Sequence, residues 1–458
     1  MTALASPPRE RVRVEGAAGL NWRATALAVA GLLLTFAAPQ HRLDLLLIGL
    51  VALMTGLVWN PLSGPVLIGL ALPFFFFGRP LAGPLAVTPP GLALMVSWVA
   101  VLVRHGQLKL SWPRTAYDAP LALFLVAALL SLLVTDYPLL SVRELRAVIF
   151  EPVLFFWLLH TLSGSAGWAL RGFLMGATVT AVAAIAQGPL SVGGTAVEGV
   201  LRAQAWYPSA NHLALMLGRA WPFLVAGGLA GYRWLWLPAA LVGLALLLTF
   251  STGGWLGGLA GALTVIALVS RRRLAVRAGA AAALALVVVS GLAIGGVLPE
   301  RLNPLRQTGG FRLDLWLSSL EMLRDHPLLG IGLDNFAYLY QQVYLRQGAA
   351  AEPNLSHPHN WLLQFWLDLG LLGLIAFGWL VWRFAREAWS PRRSWFVAGA
   401  VGAMADLLLH GLIDNSYFLV DLAFVFWLTL ALVEAGAADA RKKSLQAGSP
   451  PGNNMLST

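Results

Sequence analysis

WLLQFWLDLGLLGLIAFGWLVWRF, residues 361–384, decides the fold class. Only Asp368 and Arg383 interrupt its apolar run with charge. A helix that crosses the hydrocarbon of a bilayer needs roughly 20 predominantly apolar residues, because lipid offers no partner to an unsatisfied backbone group. Runs of the same kind recur on both sides, at 24–38, 43–59, 65–77, 88–103, 120–135, 148–162, 168–187, 211–229, 234–250, 253–270, 275–297, 395–412 and 417–433. With 361–384 they give about fourteen candidate spans, so the expected fold is an all-α polytopic membrane protein. The run at 65–77 is short enough to be re-entrant. A soluble domain is excluded by 58% hydrophobic and 11% charged residues and by a mean hydropathy of +0.72. The net charge of +10 sits between apolar runs rather than on one amphipathic face, which is a topology signal and not a nucleic-acid surface. Without cysteine there is no disulfide framework and no thiolate site.

Short-loop Lys and Arg collect at Arg104/Lys109/Arg114, Arg233, Arg271 to Arg273 with Arg277, Arg383/Arg386/Arg392/Arg393 and Arg441 to Lys443. With an even number of spans all of these fall on the side of the N-terminus, which the positive-inside rule makes the cytoplasm. Arg9, Arg11 and Arg13 precede an uncleaved anchor, since a second apolar run follows almost at once. The expected organisation is a cytoplasmic tail at 1–22, spans over 23–297, a large outer loop at 298–360, three further spans over 361–435, and a Gly/Ala/Ser/Pro-rich disordered cytoplasmic tail at 436–458. Arg42, Arg79, Arg143 and Arg146 fall on the outer side; the first two read as interfacial anchors.

The outer loop is too long for a connector. Leu313, Trp316, Leu317, Leu320 and Leu323 recur at helical spacing, with Asp314, Ser318, Glu321 and Asp325 on the opposite face, so an amphipathic helix is expected there. It stops at His326-Pro327, and Gly330-Ile331-Gly332 then makes a turn. Arg312 lies in the first turn, where a cation opposes the helix dipole unless an anion compensates it. Before residue 361 comes Ser356-His357-Pro358-His359-Asn360. Asn360 suits a helix N-cap, and His359 is the side chain suited to proton transfer at neutral pH. Upstream, Arg202 and Asn211 stand at the outer mouth of a span that carries Arg219 near its middle. An arginine at bilayer depth is either a site or half of a buried pair. Asp406, His410 and Asp414 recur every four residues, as a packing network, a proton path or a metal site.

Taken in order, these motifs resemble the O-antigen ligase and polymerase family of bacterial envelope glycosyltransferases. The resemblance rests on Arg312-Leu-Asp-Leu-Trp316, His326-Pro327-Leu-Leu-Gly330-Ile-Gly332-Leu-Asp-Asn-Phe336, His359-Asn360, and Asp368-Leu-Gly370-Leu-Leu-Gly373. Upstream it includes Arg202, Pro208, Asn211 and Thr249-Phe-Ser251; downstream, His410 and Asp414. It covers about 200–414. Two positions depart from the pattern: Thr252 stands where members often have arginine, and Asp368 where many have glutamate.

The resemblance implies inverting transfer of a saccharide from an undecaprenyl-diphosphate carrier to an acceptor hydroxyl at the outer face of the inner membrane. Its partners are that donor, a saccharide or lipid-glycan acceptor and membrane lipid, with no nucleic acid. Arg312 and Arg202 would neutralise the leaving diphosphate and His359 would act as the base, with Asp368 a candidate to fix its tautomer. Arg219, Arg146, Asn211, Asn360 and Trp316 are further substrate-binding candidates. The loop lacks the carboxylate cluster of a magnesium site, so neither a metal nor another cofactor is expected. A polymerase of the same family, and a transporter of lipid-linked saccharide, are the alternatives; no internal repeat of the transporter kind is present.

A reporter that works only outside the cytoplasm should be active when fused at Gly348 and silent when fused at Arg273. The reverse pattern would invert the orientation.

Overall fold

The computed structural model describes residues 19–82, 85–105, 114–190, 195–197, 200–297, 308–347 and 354–448. Among these, five helices are long and apolar enough to cross a membrane: Ser165–Gln187, Ala210–Leu229, Thr252–Val269, Trp361–Trp389 and Val420–Leu445. Seven shorter apolar helices accompany them, Trp22–Ala37, Leu43–Trp59, Ser63–Phe74, Pro89–Arg104, Asp118–Leu133, Arg233–Leu248 and Trp395–His410. The chain is thus a mostly helical protein of polytopic membrane type. The predicted run at 148–162 is an 11-residue helix, Glu151–Thr161, entered through a π-turn at Leu145–Phe150. The helix Val420–Gly448 continues through much of the expected C-terminal tail; residues 1–18 and 449–458 of the two tails lie outside the described residues.

Four helices begin where the sequence supplies a side-chain acceptor. Asn21, Ser209, Ser251 and Asn360 each cap free amides of the first turn that follows. Many apolar side chains point outward, among them Leu33, Leu47, Val51, Leu237 and Leu247, as lipid contact requires. Inward contacts rely on small residues instead. Gly253, Gly254, Gly257, Gly258 and Gly261 make one face of the Thr252–Val269 helix, packed on Ala210–Leu229 and Trp395–His410. A Cβ at Gly261 would lie 2.8 Å from the carbonyl oxygen of Gly402, so these backbones approach as closely as chains can. Two short antiparallel hairpins, Arg79–Ala82 with Leu85–Val87 and Thr195–Val197 with Val200–Arg202, cap the bundle; neither was expected from the apolar pattern. The second puts Arg202 at its end, opposite Thr195.

The loop helix forms as expected, at Thr308–Asp325, but its buried side differs from the predicted one. Leu315, Ser318, Ser319, Met322 and Leu323 are buried, whereas Leu313 and Leu320 are 57% and 52% exposed. The serines can face inward because their hydroxyls are satisfied at once, Ser318 by the carbonyl of Tyr344 and Ser319 by that of Leu315. Leu315 and Met322 then pack with Ile331, Phe336, Tyr340 and Leu367.

That cluster leads to a break in the Trp361–Trp389 helix. At Gly370 the backbone turns to φ 69°, ψ −179°, which opens the helical ladder. Residues 327–331 fill the opening: the Ile331 amide donates to the Leu367 carbonyl (2.7 Å), the Leu371 amide to the Leu328 carbonyl (3.0 Å), and Trp366 Nε1 to the Pro327 carbonyl (2.7 Å). The freed polar groups of a span thereby find partners within the protein. Gly330 and Gly370 both have positive φ, and a Cβ on Gly370 would lie 2.5 Å from the Leu328 oxygen. The His326-to-Gly332 motif is therefore a structural plug.

Gly370→Ala should destabilise the detergent-solubilised protein by at least about 1–2 kcal/mol, from the left-handed backbone alone. Gly378→Ala, on the same helix with open space around it, should be neutral or slightly stabilising. Thermal unfolding of the two variants compares them directly.

Candidate functional site

The site begins with a buried charge. Arg219 is only 2% exposed inside the bundle, and its guanidinium pairs with Asp406 on the neighbouring helix. It also donates to the carbonyl and hydroxyl of Ser416, at 3.1 and 2.9 Å. The helix that carries Asp406 ends at His410, so Asp414 lies beyond it in a turn rather than on the predicted common helical face. Arg219, through Ser416, fixes that turn from one side. From the other side the Trp361 amide donates to Gly411 and Asn360 Nδ2 to Leu412. Asn360 is thus both the N-cap and a clamp.

These contacts bring His359 and Asp414 together across 55 positions of sequence. His359 Nδ1 is 2.8 Å from Asp414 Oδ1. His359 holds φ 49°, a left-handed conformation uncommon outside glycine, and Trp316 Nε1 secures the preceding peptide by donating to the Pro358 carbonyl at 3.1 Å. Asp414, not Asp368, is therefore the carboxylate that orients the histidine. Asp368 is buried farther along the same helix, against Gln364. His357 is buried too: its Nε2 is 3.6 Å from Asp414 Oδ1 and its ring lies tilted beside that of His359, with centroids 4.2 Å apart. His410 adds a third imidazole, with Nε2 3.9 Å from Asp414 Oδ2.

Burial works to raise the Asp414 carboxyl, but the charge of His359, the hydrogen bond from His359, and the proximity of His357 and His410 outweigh it and hold it well below the usual carboxylate range. Burial, reinforced by the charge of His359, pushes His357 down to about 4 against the pull of Asp414. At neutral pH the group is therefore an ionised Asp414 with a neutral His357.

Asp414 lines a cleft together with Asn211, Ser251, Thr252, Gly253, Arg312 and Ile413. Ser251 caps the Thr252–Val269 helix by accepting from the Gly254 amide, so the positive end of that helix opens into the cleft beside Arg312. No hydrogen bond or ion pair engages Arg312 among the described residues. Arg202 stands behind this wall, committed to the Thr249 carbonyl (2.7 Å) and to Asn211 Oδ1 (2.6 Å). It reaches the cleft through Asn211. Arg219 and Arg146 do not line it: Arg146 lies 3.4 Å from Glu151 and donates to the Ala86 carbonyl. Arg143 pairs with Asp334. The Ser251-Thr252-Gly253 wall was not singled out as a site from sequence, although Ser-Thr-Gly-Gly is a legible helix start.

Residues 237–378 match the family model described as O-antigen ligase. That stretch resembles an O-antigen ligase domain and spans under a third of this chain. It contains the Ser251 wall, Arg312 and His359, while Arg202, Asn211 and Asp414 lie outside it. The O-antigen ligase of Pseudomonas aeruginosa is 28% identical over 267 residues, 54% of this chain and 63% of that protein. Proteins of Rickettsia typhi and Rickettsia felis, provisionally named polysaccharide ligases, are 28% and 27% identical over 120 residues, 26% of this chain and 30% of each. The chain thus aligns with under a third of the Rickettsia proteins and under two thirds of the Pseudomonas ligase.

Asp406→Ala should destabilise the protein by about 3–5 kcal/mol, because it leaves Arg219 charged, buried and unpaired. The double replacement Arg219→Met, Asp406→Leu should recover most of that loss. Thermal unfolding in one detergent reads both.

Proposed function

We propose that the protein transfers a saccharide from an undecaprenyl-diphosphate carrier to an acceptor hydroxyl at the outer face of the membrane, with inversion and without need of a metal. The observation that carries this reading is one cleft lined by Asp414, the carboxylate paired with His359, and by Arg312, which among the described residues has no ion pair and stands beside the start of the Thr252–Val269 helix. The ligase domain match and the ligase name of the Pseudomonas relative support it.

An ionised Asp414 can only accept, so whenever His359 carries a single proton it holds that proton on Nδ1 and leaves Nε2 with its lone pair. Nε2 takes the proton of the acceptor hydroxyl as the acceptor oxygen bonds to the anomeric carbon. The bond from that carbon to the phosphate oxygen breaks on the opposite face, which inverts the centre. The electron pair leaves with the diphosphate. Arg312, helped by the free amides at the start of the Thr252–Val269 helix, meets that growing charge. Arg202 sets Asn211 at the edge of the cleft. Trp316, Asn360 and Arg219 act on the geometry of the His359 loop and the Asp414 turn, and His357 takes no proton in this scheme. Membrane lipid supplies the second solvent that the carrier tail needs.

The test is single-turnover transfer from undecaprenyl-diphosphate saccharide, with donor binding measured separately. His359→Ala should lose about 10²–10⁴ in rate with donor still bound, and His357→Ala far less. Arg312→Lys should lose about 10²–10³, nearly as much as Arg312→Ala, since lysine keeps the charge but not the bidentate fork. Equal, mild losses for the two histidines would remove His359 from catalysis. Donor that crosses the membrane with no new glycosidic bond would favour a transporter.

A further inference from the structure

The groups around Asp414 have a second chemistry besides proton transfer. One ring nitrogen each of His357 and His359 and a carboxylate oxygen of Asp414 lie within 4.8 Å of one another, and His357 Nε2 and His359 Nδ1 are 3.6 and 2.8 Å from Asp414 Oδ1. Magnesium and calcium choose oxygen donors, whereas two imidazoles with one carboxylate suit zinc and its neighbours in the first transition row.

Two further observations point to an ion. His357 Nε2 is buried without a hydrogen-bond partner, on a ring whose Nδ1 lies 2.8 Å from Ser356 Oγ. A hydroxyl that accepts from Nδ1–H leaves the Nε2 lone pair toward Asp414, which is how an outer partner orients a metal-binding histidine. On the other carboxylate oxygen, His410 Nε2 waits at 3.9 Å, and both nitrogens of that buried ring are also unpartnered. Leaving such groups unpaired is costly in a protein interior, and an ion drawn between them would take up one nitrogen of each ring.

We propose that His357, His359 and Asp414 bind a divalent cation of the zinc class, with His410 as a further donor, and that the bound ion stops transfer. The blocking effect rests on the proposed function; the binding does not. Coordination needs the lone pair of His359 Nδ1, so the proton that Nδ1 shares with Asp414 moves to Nε2. Nε2 is the atom that has to accept the acceptor's proton, and with that proton in place it has no lone pair to offer. No bond to the donor or acceptor is made or broken. The inhibition is a tautomer change held by the ion, and removal of the ion reverses it.

The experiment uses the full chain in detergent, free of any histidine tag and stripped with chelator, titrated with cobalt(II). One equivalent should give visible d–d absorption, and zinc should abolish it. His357→Gln and Ser356→Ala should each weaken cobalt binding about 10-fold or more, with Arg312→Lys as a control that leaves it unchanged. Transfer by the stripped protein should persist, fall as cobalt or zinc is added, and return with chelator. Absence of the cobalt band, or unaltered affinity in His357→Gln, overturns the site. Zinc bound without loss of transfer overturns the blocking effect. A stripped protein that binds cobalt but transfers nothing supports the site and overturns the transfer reading.

Discussion

Everything around the cleft hangs on the Arg219 guanidinium inside the bundle. A charge at that depth is tolerated only with a partner, and Arg219 spends its donors on Asp406 and on Ser416. The glycine face of the Thr252–Val269 helix follows from this: a Cβ at Gly257 would collide with Asp406, and one at Gly218 would lie 2.6 Å from the same oxygen. The pair thus selects backbone without side chains on the two helices that flank it. Buried ion pairs add little stability in themselves. What this one provides is position, because three helices and the turn with Asp414 meet at one guanidinium.

The chain between the Thr252–Val269 and Trp361–Trp389 helices obeys a related constraint. A span broken at Gly370 exposes backbone groups that lipid cannot satisfy, and residues 327–331 satisfy them. That plug anchors the base of the loop while Asn335, fully buried, bonds to Thr135, Ser141 and the amides of Asp136 and Tyr137. The loop helix is then held firmly enough for Trp316 to grip the Pro358 carbonyl. His359 keeps a left-handed backbone only because both neighbours are fixed, Pro358 by Trp316 and Asn360 by the Leu412 carbonyl.

Local patterns in the sequence were legible and long-range pairings were not. Apolar runs, the N-cap at Asn360, and the helix that carries Arg312 could all be read from spacing, since each is set by residues within a few positions. Arg312 and His359 stood out because polar groups are scarce in such a chain. Asp414 was seen but placed on a helical face, because nothing local marks His410 as the last helical residue. Asp368 was the nearer carboxylate in sequence, and only the turn brings Asp414 to His359. The loop helix was turned the wrong way for another reason: hydrophobic periodicity assumes that water lies outside, whereas Ser318 and Ser319 face protein with their hydroxyls satisfied locally.

Asp414 also explains why the cleft has two unlike sides. On the proposed reading an unscreened carboxylate would repel the anionic leaving group, and at 2.8 Å from His359 its charge is directed to the imidazole instead. The cleft is left with the field of Arg312 and the start of the Thr252–Val269 helix. Where relatives of the ligase pattern often carry arginine after the serine of Thr249-Phe-Ser251, Thr252 here leaves that helix start uncovered. On the proposed reading, free backbone amides beside Arg312 then do part of what a second guanidinium would, with no long side chain to order before the diphosphate arrives.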